Sequence, residues 1–445
     1  MQTILILGAG KSSTYLIEYL LESAGVKSRK IIVADILKRT AAEKIKGSSF
    51  ASAVSINITN QEERNALIQK SDLVVSMLPA SMHPIIAKDC LTLGKHFFTA
   101  SYESDELRKL ANDIKAKNLL FLNECGLDPG IDHMSAMKII DHQKAKGNEI
   151  ISFKSFCGGI LSPESEDNPW KYKFTWNPRN VVLAGQGVSR YIQNAQLKFI
   201  PYHKLFERTE KINFEDVGDF DGYANRDSLR YREIYGLEKI PTMLRGTLRR
   251  AGFCQAWNVF VQLGMTDDTF QVDFPNGVSY RGFLNSFLPY HPTKTVEEKL
   301  QAYLPNMDLD TMPKIEWLGL FSDNPVPISK GSPATILQKI LEEKWQLSPD
   351  DKDMIVLQHQ FEVKGGKVNT KIVSSLVCKG QNEEYTAMAK TVGLPLAMAV
   401  DLFLDGKIKS RGLQIPVQKE FYDPILKALE GYGIFFQENQ IPKNE

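Results

Sequence analysis

TILILGAGKSST, from Thr3 to Thr14, is the stretch whose reading decides the fold. Thr3 to Leu7 make a buried strand, Gly8-Ala9-Gly10 a tight turn, and Tyr15 to Ser23 a helix. Two anion-gripping motifs compete for that turn. A Walker-type loop needs glycine five residues before Gly10, to surround a β-phosphate with backbone N–H groups, and Leu5 stands there. A dinucleotide fingerprint fits better, because a strand, a turn and a helix N-terminus facing a pyrophosphate are all present, with Ser13 at the third glycine position. Alone the fingerprint is weak, since ordinary βα turns also carry glycines.

Working outward, strand-like runs recur at 31–34, 53–56, 73–78, 96–100 and 119–122, with helix-period segments at 61–70 and 104–117 between them. This alternation predicts an α/β fold with a Rossmann-like doubly wound parallel sheet. Ligands of such sheets sit beyond the carboxyl ends of the strands, which here read Gly8, Asp35, Leu78-Pro79, Ala100-Ser101-Tyr102 and Asn123-Glu124-Cys125.

After Asn123 the turn-rich Gly126-Leu127-Asp128-Pro129-Gly130 opens a second domain, with a helix over 132–146 and a strand over 150–156. The segment 241–349 reads as an almost wholly helical subdomain, its helices placed at 247–263, 296–303, 313–320 and 334–345. Strands return at 354–363 and 371–378, joined as a hairpin at Gly365-Gly366. The expected division is 1–125 for the dinucleotide-binding domain, 126–240 with 350–385 for an α/β substrate domain, 241–349 for the helical subdomain, and 386–445 for C-terminal helices packing back on the core, with 437–445 frayed.

The chain has 445 residues, 54 basic and 53 acidic, so a formal charge of +1 offers no field for nucleic acid. Small anions must be met by local arginines. Five cysteines, at 90, 125, 157, 254 and 378, are odd in number and widely spaced, which argues against a disulfide framework and a metal site. No apolar stretch is read as reaching membrane length, the N-terminal run breaks at glycine, and the expected location is the cytoplasm.

Asp35 ends the second strand, where a carboxylate can hold both hydroxyls of an adenosine ribose and repel a 2′-phosphate. NAD is therefore favoured over NADP, although Lys38 and Arg39 follow and can reach a 2′-phosphate; an aspartate capping the next helix is the plain alternative. Asp128 stands where a nicotinamide would come close, yet Asp before Pro-Gly is also ordinary turn chemistry. Asp132 reads as a helix cap with His133 on the same helix. The aromatics Trp170, Tyr172, Phe174 and Trp176 read as a shaped surface over a ligand or a dimer contact. Arg226, and the run Arg245 to Arg250 read as a helix start, supply planar forks that match carboxylates.

GLDPGIDH, CGG followed by PE, DNP and YKF, then ANRDS, RGTLR, WLGLFSD and TAMAKTVGLP occur in this order. In order and spacing the chain resembles saccharopine dehydrogenase of the L-glutamate-forming type, the saccharopine reductase family, including the dehydrogenase half of the animal bifunctional lysine-degrading enzyme. The resemblance implies oxidation of saccharopine by NAD(P) and water to L-glutamate and 2-aminoadipate 6-semialdehyde, or the reverse condensation. It also implies a substrate domain that dimerises, hence a homodimer. By motif it places substrate contacts at Ser101, Tyr102, Asp128, Arg226, Thr247, Leu248 and Arg249, the last three at a helix start meeting a carboxylate. Asp128 and Tyr102 would handle protons. Gly8, Ala9, Gly10, Asp35, Leu78, Ala100 and Leu127 fall on cofactor-contacting positions, and aspartate at 35 matches the animal half that uses NAD. The family's CGGLPAPE is CGGILSPE here, its tyrosine before that cysteine is Phe156, and its RGTLRYQG is RGTLRRAG. These departures bear on substrate choice more than on reaction type. The alternatives are a dehydrogenase of another carboxylated secondary amine, such as carboxynorspermidine, and a non-catalytic dinucleotide-binding redox sensor.

Overall fold

The computed structural model describes residues 1–365 and 368–443, which form two compact units. The turn expected at Gly365-Gly366 lies partly outside the described residues. The first unit comprises Met1–Glu149 and Leu376–Gln437. Its N-terminal strands are β1 Gln2–Leu7, β2 Arg29–Asp35, β3 Ala51–Ser55, β4 Leu73–Ser76, β5 His96–Thr99 and β6 Leu120–Leu122. Together with a strand at Gly412–Gln414 they make a parallel sheet in the order Gly412–Gln414, β6, β5, β4, β1, β2, β3. Ile4 to Leu7 and Leu73 to Val75 are fully buried, as strands covered on both faces must be.

Strand order reverses between β1 and β4, and this switch point opens a crevice at the carboxyl ends. Gly8 follows β1 there with φ +98°, and a Cβ on it would lie 2.9 Å from the Met77 carbonyl oxygen. Only glycine fits both the angle and the approach.

The helix Ala387–Leu404 packs against the helix Thr14–Ala24 that follows the glycine turn. A Cβ on Gly393 would lie 2.9 Å from the Leu16 nitrogen, so the two backbones nearly touch. This helix is long and apolar enough to span a membrane by length and composition, which corrects the expectation that no stretch reaches that length. Most of it is buried inside the unit, as a core helix is.

The second unit comprises Ile150–Ser375 and the chain end from Glu438. Its sheet runs in the order Glu210–Phe214, Gly218–Ala224, Thr242–Arg250, Glu149–Leu161, Asp353–Gly365, Val368–Lys379, Gln437–Lys443. A hairpin of Val188–Gln193 and Gln196–Pro201 joins beside Thr242–Arg250. Gln437–Lys443 is thus a strand, where a frayed tail was expected over 437–445, because its backbone finds a sheet edge; the last two residues lie outside the described ones.

A larger correction concerns 241–263. Thr242–Arg250 is a strand, parallel to Glu149–Leu161 through Thr247 opposite Cys157 and antiparallel to Gly218–Ala224 through Arg249 opposite Asp221. The helix starts only at Phe253, after Gly252 with φ +82° breaks the strand. Arginines at 245 and 249 sit at period-two spacing, so one face of the strand carries them with Thr247 between.

The aromatics of 170–176 also differ from expectation. Trp170, Tyr172 and Phe174 are buried, and Trp170 stacks on Phe260 and packs edge-on to Trp345. They form core beneath the helices Phe253–Leu263 and Pro333–Lys344, and Trp176 alone of the four is exposed. Their large apolar area stabilises the interior better than it would serve a surface.

Candidate active site

In the first unit the predicted residues gather at the carboxyl ends of β1, β4, β5 and β6. The backbone N–H groups of Gly10, Lys11 and Ser12 have no acceptor among the described residues, and a Cβ on Gly10 would meet nothing within 4 Å. An open turn with free amides at a helix start suits a pyrophosphate. Asp35 behaves differently from expectation. Its Oδ2 accepts from the Ala9 N–H at 2.8 Å and its Oδ1 from the Leu37 N–H at 3.1 Å, so the carboxylate holds the glycine turn to the end of β2.

Tyr102, about half exposed, donates its hydroxyl to Asp128 Oδ1 at 3.1 Å, although 26 residues separate them. Two backbone links bring them together. The Glu124 N–H donates to the Ser101 carbonyl at 2.9 Å, and the Glu124 carboxylate accepts from the Glu103 N–H at 3.0 Å. Glu124 is fully buried, and its second oxygen meets His133 Nε2 at 2.9 Å. His133 is therefore a buried partner of Glu124. Asp132 lies inside the first turn of the Ile131–Ala145 helix, whose N-cap is Gly130, so it is not the cap expected; its Oδ1 accepts from the Gly130 N–H at 2.7 Å. Gly126 presses on Ala100: a Cβ there would lie 2.9 Å from the alanine Cβ. Leu127 is buried, while Leu78 and Ala100 are half-buried at the crevice.

Ser101 brings a residue the sequence reading did not single out. Its hydroxyl lies 2.7 Å from Nε2 of buried His83, whose Nδ1 lies 2.9 Å from the hydroxyl of Ser76. Burial pushes the His83 imidazole down to about 4, so it is neutral at pH 7. Its position just after the fourth strand's end was the available signal.

In the second unit Arg249 is buried, with its guanidinium 5.2 Å from the centre of the Tyr172 ring, 5.6 Å from Phe253 and 6.0 Å from Tyr223. Nη1 donates to the Leu248 carbonyl at 2.9 Å, and Nε has no partner. Among the described residues no carboxylate pairs with it. A buried cation without a counter-ion is costly unless an anion arrives from outside. Thr247 donates to the Asn225 side-chain oxygen at 2.7 Å, which ties the strand to the Asn225-Arg226-Asp227 turn. Arg226 is exposed on that turn, and Asp227 pairs with Arg190 at 2.5 Å. Leu248 is fully buried in the core, and its carbonyl is taken by Arg249 Nη1. The helix-start role expected for Thr247, Leu248 and Arg249 is replaced by a strand, which presents Thr247 and Arg249 on one face.

Comparisons with known proteins agree with this anatomy. A family model described as "Saccharopine dehydrogenase NADP binding domain" matches residues 4–122, and one described as "Saccharopine dehydrogenase C-terminal domain" matches 126–434. The chain is 35% identical over 442 residues to the mitochondrial alpha-aminoadipic semialdehyde synthase of Bos taurus, covering 97% of this chain and 47% of that protein. It thus spans about half the length of such relatives. It is 34% identical over 403 residues to saccharopine dehydrogenase [NADP(+), L-glutamate-forming] of Saccharomyces cerevisiae, covering 88% of this chain and 90% of that one. The solved apo saccharopine dehydrogenase (L-Glu forming) of the same yeast superposes with a TM-score of 0.88 at 31% identity, over 99% of this chain and all of that one.

These findings overturn the NAD preference read from Asp35. The matching cofactor-domain family is NADP-binding, and the yeast relative's name specifies NADP(+). The physical reason lies in the turn: Asp35 is engaged by the Ala9 and Leu37 amides, while Lys38 and Arg39 stand exposed just beyond it.

Proposed function

We propose, on the premise that this chain belongs to the saccharopine dehydrogenase family, that it oxidises saccharopine with NADP+ and water to L-glutamate and 2-aminoadipate 6-semialdehyde, or runs the reverse condensation. The observation that carries the reading is the hydrogen bond between Tyr102 and Asp128, a proton-handling pair at the mouth of the dinucleotide-type sheet. The free amides of the glycine turn fit a pyrophosphate, and Lys38 and Arg39 are the cations offered to a 2′-phosphate. The Arg39 pairing with Glu43 is exposed, so it costs little to exchange. A bound NADP+ would supply the hydride acceptor for the substrate carbon next to the secondary amine.

The chain's own groups then do the rest. Asp128, its charge stabilised by the Tyr102 hydroxyl, accepts the proton that leaves the amine as the carbon–nitrogen double bond forms. As water adds to that carbon, Asp128 returns this proton to the nitrogen and takes one from the water in its place. Passed to the nitrogen in turn, that proton lets the carbon–nitrogen bond break, releasing the amine of glutamate and the aldehyde, whose hydroxyl proton leaves through Asp128 to solvent. Arg249, which lacks an anion of its own, supplies a guanidinium for one of the substrate's carboxylates, with Arg226 as a second, exposed cation. The reading includes a homodimer, supported by Val188, Leu197 and Phe199, exposed on the hairpin at the second unit's sheet edge. Sedimentation would test that part.

Initial rates of NADPH formation with saccharopine, under NADP+ and NAD+ and beside carboxynorspermidine, test the chemistry. Saccharopine-dependent reduction of NADP+ is expected. Its absence, or a preference for the other amine, would refute the assignment.

A further inference from the structure

The hydroxyl of Ser76, at the end of β4, is 1% exposed, and its one partner among the described residues is His83 Nδ1 at 2.9 Å. A buried hydroxyl hydrogen must find an acceptor, and Nδ1 is the acceptor within reach. Because burial keeps the ring neutral, it carries a single N–H. With Nδ1 accepting, that hydrogen sits on Nε2, which lies 2.7 Å from Ser101 Oγ. The Ser101 oxygen is then the acceptor of this bond. Thr99 Oγ1, 3.4 Å from Nε2, is already engaged: it donates to the Ser76 carbonyl at 2.9 Å and accepts the Ser101 N–H at 3.2 Å.

This accounting leaves the hydroxyl hydrogen of Ser101 without an acceptor among the described residues, on a half-buried side chain next to Tyr102. We infer that His83 is a positioning residue that fixes Ser101 as a hydrogen-bond donor toward an anionic oxygen of the bound amino acid substrate. The inference rests on the function proposed above for the identity of that substrate. A chain running from Nε2–H through the Ser101 hydroxyl to a carboxylate polarises each bond in turn. The opposite tautomer would turn the serine lone pairs outward and repel the same carboxylate, so the buried Ser76–His83 contact sets selectivity for an anion from a distance.

The test has a spectroscopic arm and a kinetic arm. In the NADP+-loaded protein labelled with 15N-histidine, the two-bond proton–nitrogen pattern of His83 should be that of an Nε2–H ring at neutral pH. The signal is identified by its loss in His83→Leu, or in His83→Asn if the leucine variant does not fold. An Nδ1–H or charged ring overturns the inference. Kinetically, Ser101→Ala should raise the saccharopine KM by about 10- to 100-fold with kcat changed far less. His83→Leu should do the same, and combining the two should add nothing to Ser101→Ala alone. Multiplying effects, or a fall in kcat with KM unmoved, overturn it. Failure of the unaltered protein to turn over saccharopine counts against the proposed function, while the tautomer still decides the role of His83.

Discussion

Replacing Arg249 with methionine should separate a binding arginine from a structural one. Arg249 is 4% exposed, and its guanidinium lies 5.2 to 6.0 Å from three ring centres and makes one hydrogen bond, to the Leu248 carbonyl. Cation–ring contacts are worth about 0.5–2 kcal/mol when desolvated, whereas an unpaired buried charge costs several kcal/mol. Methionine removes that cost and keeps most of the apolar packing against Tyr172 and Phe253. The ligand-free protein should therefore unfold at an unchanged or higher urea concentration, a gain of roughly 0–3 kcal/mol. Substrate loses a charge-assisted hydrogen bond worth about 1.5–3 kcal/mol, so the saccharopine KM should rise by about 10- to 150-fold, with NADP+ binding unaffected. Urea titration and initial rates read the two quantities on one preparation. A loss of about 3–5 kcal/mol in stability with an unchanged KM would refute the reasoning, because that is the mark of a cation whose internal partner has been abandoned.

Asp128→Ala should lower kcat by about 10²- to 10⁴-fold without unfolding the chain, and unchanged turnover would remove Asp128 from proton handling. Gly393→Ala places a methyl 2.9 Å from the Leu16 nitrogen and 3.3 Å from the Ser12 carbonyl oxygen, so thermal unfolding should show a loss of about 1–3 kcal/mol and NADP+ should bind more weakly. Equal stability would mean the helices can part freely. Acid should weaken the first unit through His83 and His96, both lowered from 6.5 to about 4, His83 by burial and His96 by burial and then by the charge of Arg411. Their folded values lie below the unfolded ones, so the unfolded chain takes up protons first on acidification. The stabilisation is complete above about pH 6.5 and lost as pH falls toward 4, with His83 contributing on the order of 3 kcal/mol. Urea midpoints across this window should fall less steeply in His83→Leu, and parallel slopes would contradict the shift.

The sheet and the Tyr102–Asp128 pair were legible because strand ends in a parallel sheet fall on one edge, whatever the spacing between them in sequence. Asp35 was legible as a strand-end carboxylate, yet the cofactor preference drawn from it was wrong, since such a carboxylate can serve a ribose or the adjoining turn and sequence does not weigh the two. Thr242–Arg250 was hidden because arginine and glycine suppress the apolar alternation that marks a strand. Its arginines are buried against rings contributed by Tyr172, Tyr231 and Phe253, which only the folded chain brings close. His83 escaped notice because a lone histidine carries no pattern, and its meaning comes from two serines, one on each side of the ring.

The Gly412–Gln414 strand, paired with β6, has a consequence for how the protein is made. A ribosome that has delivered the first six strands has not yet supplied the seventh, nor the apolar helix that covers this sheet, because Ile150–Ser375 of the second unit is translated in between. Through that interval β6 remains an open edge, a template for mispairing with other nascent chains. The dinucleotide-type unit cannot therefore be excised by cutting after its sixth strand. An isolated version would need Leu376–Gln437 spliced on, and a stop codon anywhere before that segment should abolish folding of the N-terminal half as surely as of the C-terminal one.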